Sequence, residues 1–164
     1  MAKTPWEAKD ELPGLFDSIC GENESVTVIA NSIGAYFTML SLHGRRIEKA
    51  FFISPVVDME KLIRDMMLWA DVTEEELREK GEMETAFGET LSWKYLCYVR
   101  EHPAQWTVPT HILYGEKDHL TSYETVSAFA KQINATLTVM KNGEHWFHTE
   151  DQMKYLDNWI KQFA

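Results

Sequence analysis

The sequence predicts an α/β fold, a mostly parallel sheet with flanking helices, on three observations. Short β-branched and apolar runs alternate with stretches of helical period. Glycine and small polar residues stand at the junctions between them. A serine, an aspartate and a histidine each follow the end of a different predicted strand, the place where parallel sheets carry their functional loops.

The first element is a helix. Thr4-Pro5-Trp6-Glu7 combines a capping box with proline at the first helical position. Pro13 is expected to kink or restart this helix, which runs on to Ile19. Val26 to Ala30 (VTVIA), after the polar segment Glu22-Asn23-Glu24-Ser25, reads as a buried strand. A helix over Gly34 to Leu42 follows at once and stops at His43-Gly44, where glycine can take the left-handed conformation.

Ala50 to Ser54 (AFFIS), Thr110 to Tyr114 (THILY) and Thr136 to Met140 (TLTVM) are three further strands of the same kind. Between the last two, Thr121 to Glu124 has capping-box spacing and opens a helix with Val126, Phe129, Ala130 and Ile133 on one face. Thr149 to Gln152 repeats the spacing before Met153, Leu156, Trp159, Ile160 and Phe163. Strands joined through helices require right-handed crossovers and hence a parallel sheet.

Residues 58–106 break the rhythm, being rich in charges and aromatics and lacking a clear strand. They read as a helical insertion on a core formed by residues 1–57 and 107–164. Its expected helices are Met59 to Trp69, one opened by the Thr73 to Glu76 capping box, and Trp93 to Arg100 before Pro103.

Composition narrows the function. A chain of 164 residues, 45% hydrophobic and 26% charged, is an ordinary single domain. Its net charge of -10 repels phosphate backbones and anionic lipid, so neither nucleic acid nor a membrane surface is an expected partner. Cys20 and Cys97 lie far apart among apolar neighbours and read as buried free thiols. The first twelve residues hold no apolar stretch of a signal peptide, and a cytoplasmic location is the expectation.

The chemistry is read at the strand ends. Ser32 lies in Ala30-Asn31-Ser32-Ile33-Gly34, between a strand and a helix. A nucleophile on such a turn is held clear of the sheet beside a helix N-terminus, and small residues at Ala30 and Gly34 are expected to admit the close approach of strand and helix. Taken alone, Ser32 reads as a helix N-cap, Asp118 (in Gly115-Glu116-Lys117-Asp118) as a turn former, and His145, beside Trp146 and Phe147, as packing. Together they give nucleophile, acid and base in one order, each past a different strand. A metal reading through His145 and His148 with Glu144 or His119 has weaker spacing; no metal and no cofactor are expected.

From Val26 to the C-terminus the chain resembles the α/β-hydrolase family, in particular its small esterases, acylglycerol lipases and serine aminopeptidase-like members. The family's nucleophile elbow corresponds to Ala30 to Gly34, its acid loop to Gly115 to Asp118, its histidine loop to Gly143 to Phe147 and its cap to residues 58–106. Two departures stand out: Ala30 replaces the elbow's first glycine, and only Met1 to Ser25 precede the elbow strand, where the family has strands, an oxyanion loop and a helix. The resemblance implies a truncated α/β-hydrolase fold and a serine hydrolase acting on an acyl ester or amide through Ser32, His145 and Asp118. It implies the Ile33 N–H as oxyanion donor, and Met66, Trp69, Trp93 and Tyr98 of the cap as contacts for an apolar or aromatic acyl group. The alternative is an inactive hydrolase-like fragment or binding module. With strands missing ahead of it, Val26 to Ala30 becomes a sheet edge without a gatekeeper residue, and a homodimer through that edge is expected.

Overall fold

The computed structural model describes residues 4–21 and 26–163, so the Glu22 to Ser25 segment expected to bound the first strand lies outside the described residues. Helix α1 (Pro5–Ile19) starts as its capping box requires: Thr4 Oγ1 accepts from the Glu7 N–H, and the Glu7 carboxylate accepts from the Thr4 N–H at 2.8 Å. Pro13 neither ends nor restarts it; the helix continues through the proline to Ile19.

The next elements are β1 (Val26–Asn31), α2 (Ile33–Leu42) and β2 (Ile47–Ile53). The insertion holds α3 (Met59–Trp69), α4 (Glu74–Lys80), β3 (Glu82–Glu84), β4 (Thr90–Ser92) and α5 (Trp93–Glu101). β5 (Thr110–Gly115), α6 (Tyr123–Gln132), β6 (Thr136–Met140) and α7 (Glu150–Phe163) complete the chain. The sheet has the order β1-β2-β5-β6, and each neighbouring pair is parallel. Asn31 pairs with Ile53, Ile53 with Leu113 and Gly115 with Met140. This register brings the loops after β1, β2, β5 and β6 to one rim of the sheet.

The side-chain period of two divides β2 between two cores. Ala50 and Phe52 join Ala35, Met39, Ile112, Val126 and Ala130 on the face under α2 and α6. Phe51 and Ile53 join Leu113, Phe147 and Trp159 under α7. Helices on both faces are why AFFI is apolar without alternation. Phe51 and Phe52 are fully buried, and cutting either back to alanine would cost roughly 3–5 kcal/mol.

β1 differs from the expected buried strand. It is one of the two edge strands of the described sheet, and its residues alternate between half-buried Val26 and Val28 and exposed Thr27 and Ile29. One face is covered: Val28 packs against the buried cluster that holds Ala35 and Met39 of α2, as do Leu12 and Phe16 of α1. Ile29, on the other face, is 55% exposed.

The insertion is not wholly helical. β3 and β4 form a short antiparallel hairpin with Met83 opposite Leu91. Strands of three residues, each with one apolar side chain, give too short an alternation to read as strands. The insertion shares one apolar cluster with the core, in which Leu62, Ile63, Leu77, Leu96 and Val99 pack with Ala8 of α1 and with Tyr36, Phe37 and Leu40 of α2. Arg100 binds it together by donating to Glu60 at 2.8 Å and to Glu74 at 2.6 and 3.0 Å. Cys20 and Cys97 are free, but half-buried rather than buried.

Candidate active site

Ser32 sits between β1 and α2 with φ 51° and ψ −124°, a conformation that a side chain adopts only under constraint. Such strain costs about 1–3 kcal/mol and persists where neighbours over-determine it. Three backbone bonds do so here. The Ser32 N–H donates to the Ile53 carbonyl at 3.0 Å, while the Ser32 carbonyl accepts from Ala35 at 3.1 Å and from Val56 at 3.0 Å. The last residue of β2 and the segment that follows it therefore clamp the serine peptide on both sides. The Ser32 hydroxyl makes no capping bond to its own helix; it lies 2.8 Å from His145 Nε2.

His145 comes from the loop after β6, and its Nδ1 lies 2.8 Å from Asp118 Oδ2. A carboxylate only accepts, so Nδ1 carries the proton, and Nε2 of the neutral ring is left to accept from Ser32. Asp118 is itself fully provided for. Its Oδ1 accepts the N–H groups of Leu120 at 2.8 Å and Thr121 at 3.2 Å, and its Oδ2 also faces the Thr121 hydroxyl at 3.3 Å. The Asp118 side chain has no exposed surface and that of His145 is 9% exposed, and burying a charge so fully is tolerable only with donors of this kind around it.

The two loops are locked together. Lys117 donates its N–H to the Gly143 carbonyl at 2.7 Å, and the Asn142 N–H donates to the Glu116 carboxylate at 2.8 Å. A Cβ on Gly115 would stand 2.6 Å from the Glu144 carbonyl oxygen, so this position admits only glycine. Gly34, expected to be small for close packing, needs no such allowance: among the described residues a Cβ there would meet nothing within 4 Å. The tight approach lies between the acid and histidine loops.

Behind Asp118, Tyr114 donates its hydroxyl to the Thr121 carbonyl at 2.8 Å. Burial, then the nearby Asp118 and Glu124 carboxylates, push the Tyr114 phenol up to about 12, so it stays a donor. The capping box expected at Thr121 is displaced by one residue: Ser122 caps α6 by accepting from the Thr125 N–H. Thr121 is thereby free to turn toward Asp118.

Ile33 opens α2, so its N–H is among the first-turn donors that have no intrahelical acceptor, at the positive end of the helix. The cap residues are dispersed. Met66 and Trp93 pack against the insertion's apolar cluster. Tyr98 lies 5.6 Å from Trp6 and is stacked on His102 at 4.1 Å. Trp69 is 52% exposed and meets Phe87 at 6.2 Å. Sequence reasoning passed over Trp146 as packing. Phe147 is indeed buried, but Trp146 is 64% exposed and stands edge-on to the His145 ring at 5.4 Å. A groove of about 430 Å³ between the insertion and α6 is lined by Tyr36, Val57, Met59, Val99, Phe129 and Gln132, among others, but by none of Ser32, Asp118 and His145.

The metal reading finds no support in the geometry. His145 is engaged by Ser32 and Asp118, and His148 Nδ1 lies 2.8 Å from the Trp146 carbonyl. Among the described residues no three His, Cys, Asp or Glu side chains form a metal-binding group, and no helix is long and apolar enough to cross a membrane.

Residues 39–152 match the family profile described as serine aminopeptidase, S33. The match includes Asp118 and His145 and begins inside α2, after Ser32. No curated protein matches the chain by sequence. Among solved structures it is similar to Est1E from Butyrivibrio proteoclasticus, with a TM-score of 0.77 and 19% identity over 98% of this chain and 69% of that one. Est1E with ferulic acid bound gives a TM-score of 0.71 at 19% identity, covering 97% of this chain and 70% of that one. The mouse alpha/beta hydrolase domain-containing protein 10 gives 0.75 at 15% identity, covering 99% and 71%. The fold is thus that of the α/β hydrolases, of which this chain spans part.

Proposed function

The chain belongs to the serine aminopeptidase S33 family of α/β-type hydrolases, and on that premise we propose that it hydrolyses an acyl ester or amide with Ser32 as nucleophile, His145 as general base and acid, and Asp118 as the group that holds the imidazole. The observation that carries the reading is the continuous series Ser32 Oγ, His145 Nε2, His145 Nδ1, Asp118 Oδ2, with both contacts at 2.8 Å.

In the proposed mechanism Ser32 Oγ attacks the acyl carbonyl carbon while its proton passes to His145 Nε2. The Asp118 carboxylate fixes the tautomer and stabilises the imidazolium. The negative charge that develops on the carbonyl oxygen is met by the Ile33 N–H and the α2 N-terminus. Collapse expels the alcohol or amine, which takes the proton from His145. Water, deprotonated by the same nitrogen, then attacks the acyl-enzyme; the bond to Ser32 breaks and the proton returns to the serine. Each oxyanion donor contributes about 2.7–4 kcal/mol, so the single donor identified beside Ser32 goes with a modest rate.

For the substrate we propose an apolar or aromatic acyl group. Trp146, exposed beside the histidine, supports this, as does the ferulic acid recorded with Est1E. Hydrolysis of p-nitrophenyl acetate and butyrate tests the reading. Ser32→Ala and His145→Ala are each expected to abolish it and His148→Ala to leave most of it. Activity retained in the first two would reject the assignment.

A further inference from the structure

Among the described residues Asp118 Oδ2 has two neighbours that can donate to it, the His145 Nδ1–H at 2.8 Å and the Thr121 hydroxyl at 3.3 Å. We propose that Thr121 is a positioning residue which, through its hydroxyl and N–H on Asp118, divides the carboxylate's charge and so sets how strongly Asp118 holds the His145 imidazolium. The inference rests on the Ser32, His145 and Asp118 reading above.

Three observations carry it. Thr121 is buried, so its hydroxyl has no ready exchange with water. It reaches the aspartate from three positions along the chain because the cap of α6 falls to Ser122; a Thr121 engaged as N-cap would direct its oxygen to the Glu124 N–H instead. Its backbone is held from behind by the 2.8 Å bond from the Tyr114 hydroxyl to its carbonyl, which fixes the distance to Asp118 from a core strand. The run Tyr114, Thr121, Asp118, His145, Ser32 thus joins the interior of β5 to the serine.

The consequence concerns proton affinity. A donor on Oδ2 stabilises charge that would otherwise concentrate on the Nδ1–H bond. Without the hydroxyl, the carboxylate favours the protonated ring more, and His145 is less available as a base at low pH. Besides Tyr114, which is buried behind Asp118, the ionisable groups on the loops and elements packed there include Glu116, Lys117 and His119, Tyr123 and Glu124 at the head of α6, Lys141, and Glu144 and His148, which lie 3.4 Å apart. All of these are exposed, whereas Thr121 is in direct buried contact. At 3.3 Å the hydroxyl contact is long, so a small effect is expected.

The test compares the pH dependence of kcat/KM on p-nitrophenyl butyrate for wild type, Thr121→Val and Thr121→Ser. Thr121→Val should move the acid limb to higher pH by about half a unit, equivalent to a roughly threefold loss at pH 6 with little change at pH 8.5 and in KM. Thr121→Ser should restore the wild-type profile. Thr121→Ala carries the same expectation as valine and decides the matter should valine's shape unfold the loop. Proton NMR supplies a readout that needs no turnover: the His145 Nδ1 proton should move downfield in Thr121→Val and return in Thr121→Ser. A Thr121→Val profile and Nδ1 signal that superimpose on wild type, or a loss of equal size at every pH, would overturn the inference while Ser32→Ala stays inactive. Full activity in Ser32→Ala would instead remove the reading beneath it.

Discussion

Gly115 and Gly143 touch through their backbones: a Cβ on Gly115 would lie 2.7 Å from the Gly143 carbonyl carbon, and a Cβ on Gly143 would lie 3.1 Å from Gly115 Cα. These two residues set the spacing of the loops that carry Asp118 and His145. Gly115→Ala is therefore expected to displace the histidine loop by close to an ångström, and displacements of that size cost about a hundredfold in rate. Steady-state hydrolysis of p-nitrophenyl butyrate together with a thermal melt checks it. Gly34→Ala, where the methyl group meets nothing, should retain the activity that Gly115→Ala loses. The reverse order would mean that the elbow, and not the loop contact, sets the geometry.

His111 predicts a pH effect on stability. Its ring is stacked on Phe163 at 4.4 Å and on Phe51 at 5.4 Å, and its Nδ1 has no hydrogen-bond partner among the described residues. Burial first, and the Lys49 charge second, hold its pKa below the ordinary histidine value. The folded state therefore resists protonation. The stability tied to the neutral ring is present above the unfolded value of about 6.5 and is lost as pH falls through the lower folded one. Urea midpoints at pH 7.5 and 5.5 should differ more for wild type than for His111→Phe, and an equal difference in both would contradict the assignment.

The insertion should not exchange as one body. α5 holds buried Leu96 and Val99 and packs its Tyr95 and Tyr98 on Trp6, whereas most of α4 and of the hairpin loop is exposed. Amide exchange should be slow in α5, comparable with β5, and fast over residues 74–90. Uniformly fast exchange over 58–106 would show instead a cap that opens as a unit.

The place of β1 offers a surface for a second copy. As one of the two edge strands it has, among the described residues, no strand on its outer side, and it carries the exposed Ile29. We propose that two copies meet there about a two-fold axis. Light scattering after size exclusion should give a dimer mass for wild type and a monomer mass for Ile29→Lys, whose substituted side chain is already exposed. A wild-type monomer at high concentration would reject this edge.

Much of this arrangement was legible in the sequence, for a physical reason. Runs such as Thr136 to Met140 and Met59 to Trp69 are bounded by strong turn and cap signals, so propensity and tertiary structure agree there. Disagreement arose where two residues compete for one role. Thr121 and Ser122 can each cap α6, and only the demand of Asp118 for donors decides between them. Pro13 removes one backbone donor from α1 without restarting it, since the helix runs unbroken to Ile19. The cap aromatics show the limit of spacing as a guide. Trp69, Trp93 and Tyr98 share a residue class, yet Tyr98 packs on Trp6 while Trp69 stays open.

The most direct measurement is covalent labelling of the serine. The native chain is treated with a fluorophosphonate and digested, and the modified peptide is sequenced by mass spectrometry beside Ser32→Ala, His145→Ala and Asp118→Asn. The account predicts a single adduct on Ser32 in the native chain, none in Ser32→Ala, and labelling slowed by at least about a hundredfold in His145→Ala, with Asp118→Asn also slowed. An adduct on another residue, or labelling of Ser32 at an unchanged rate without the His145 imidazole, would contradict it.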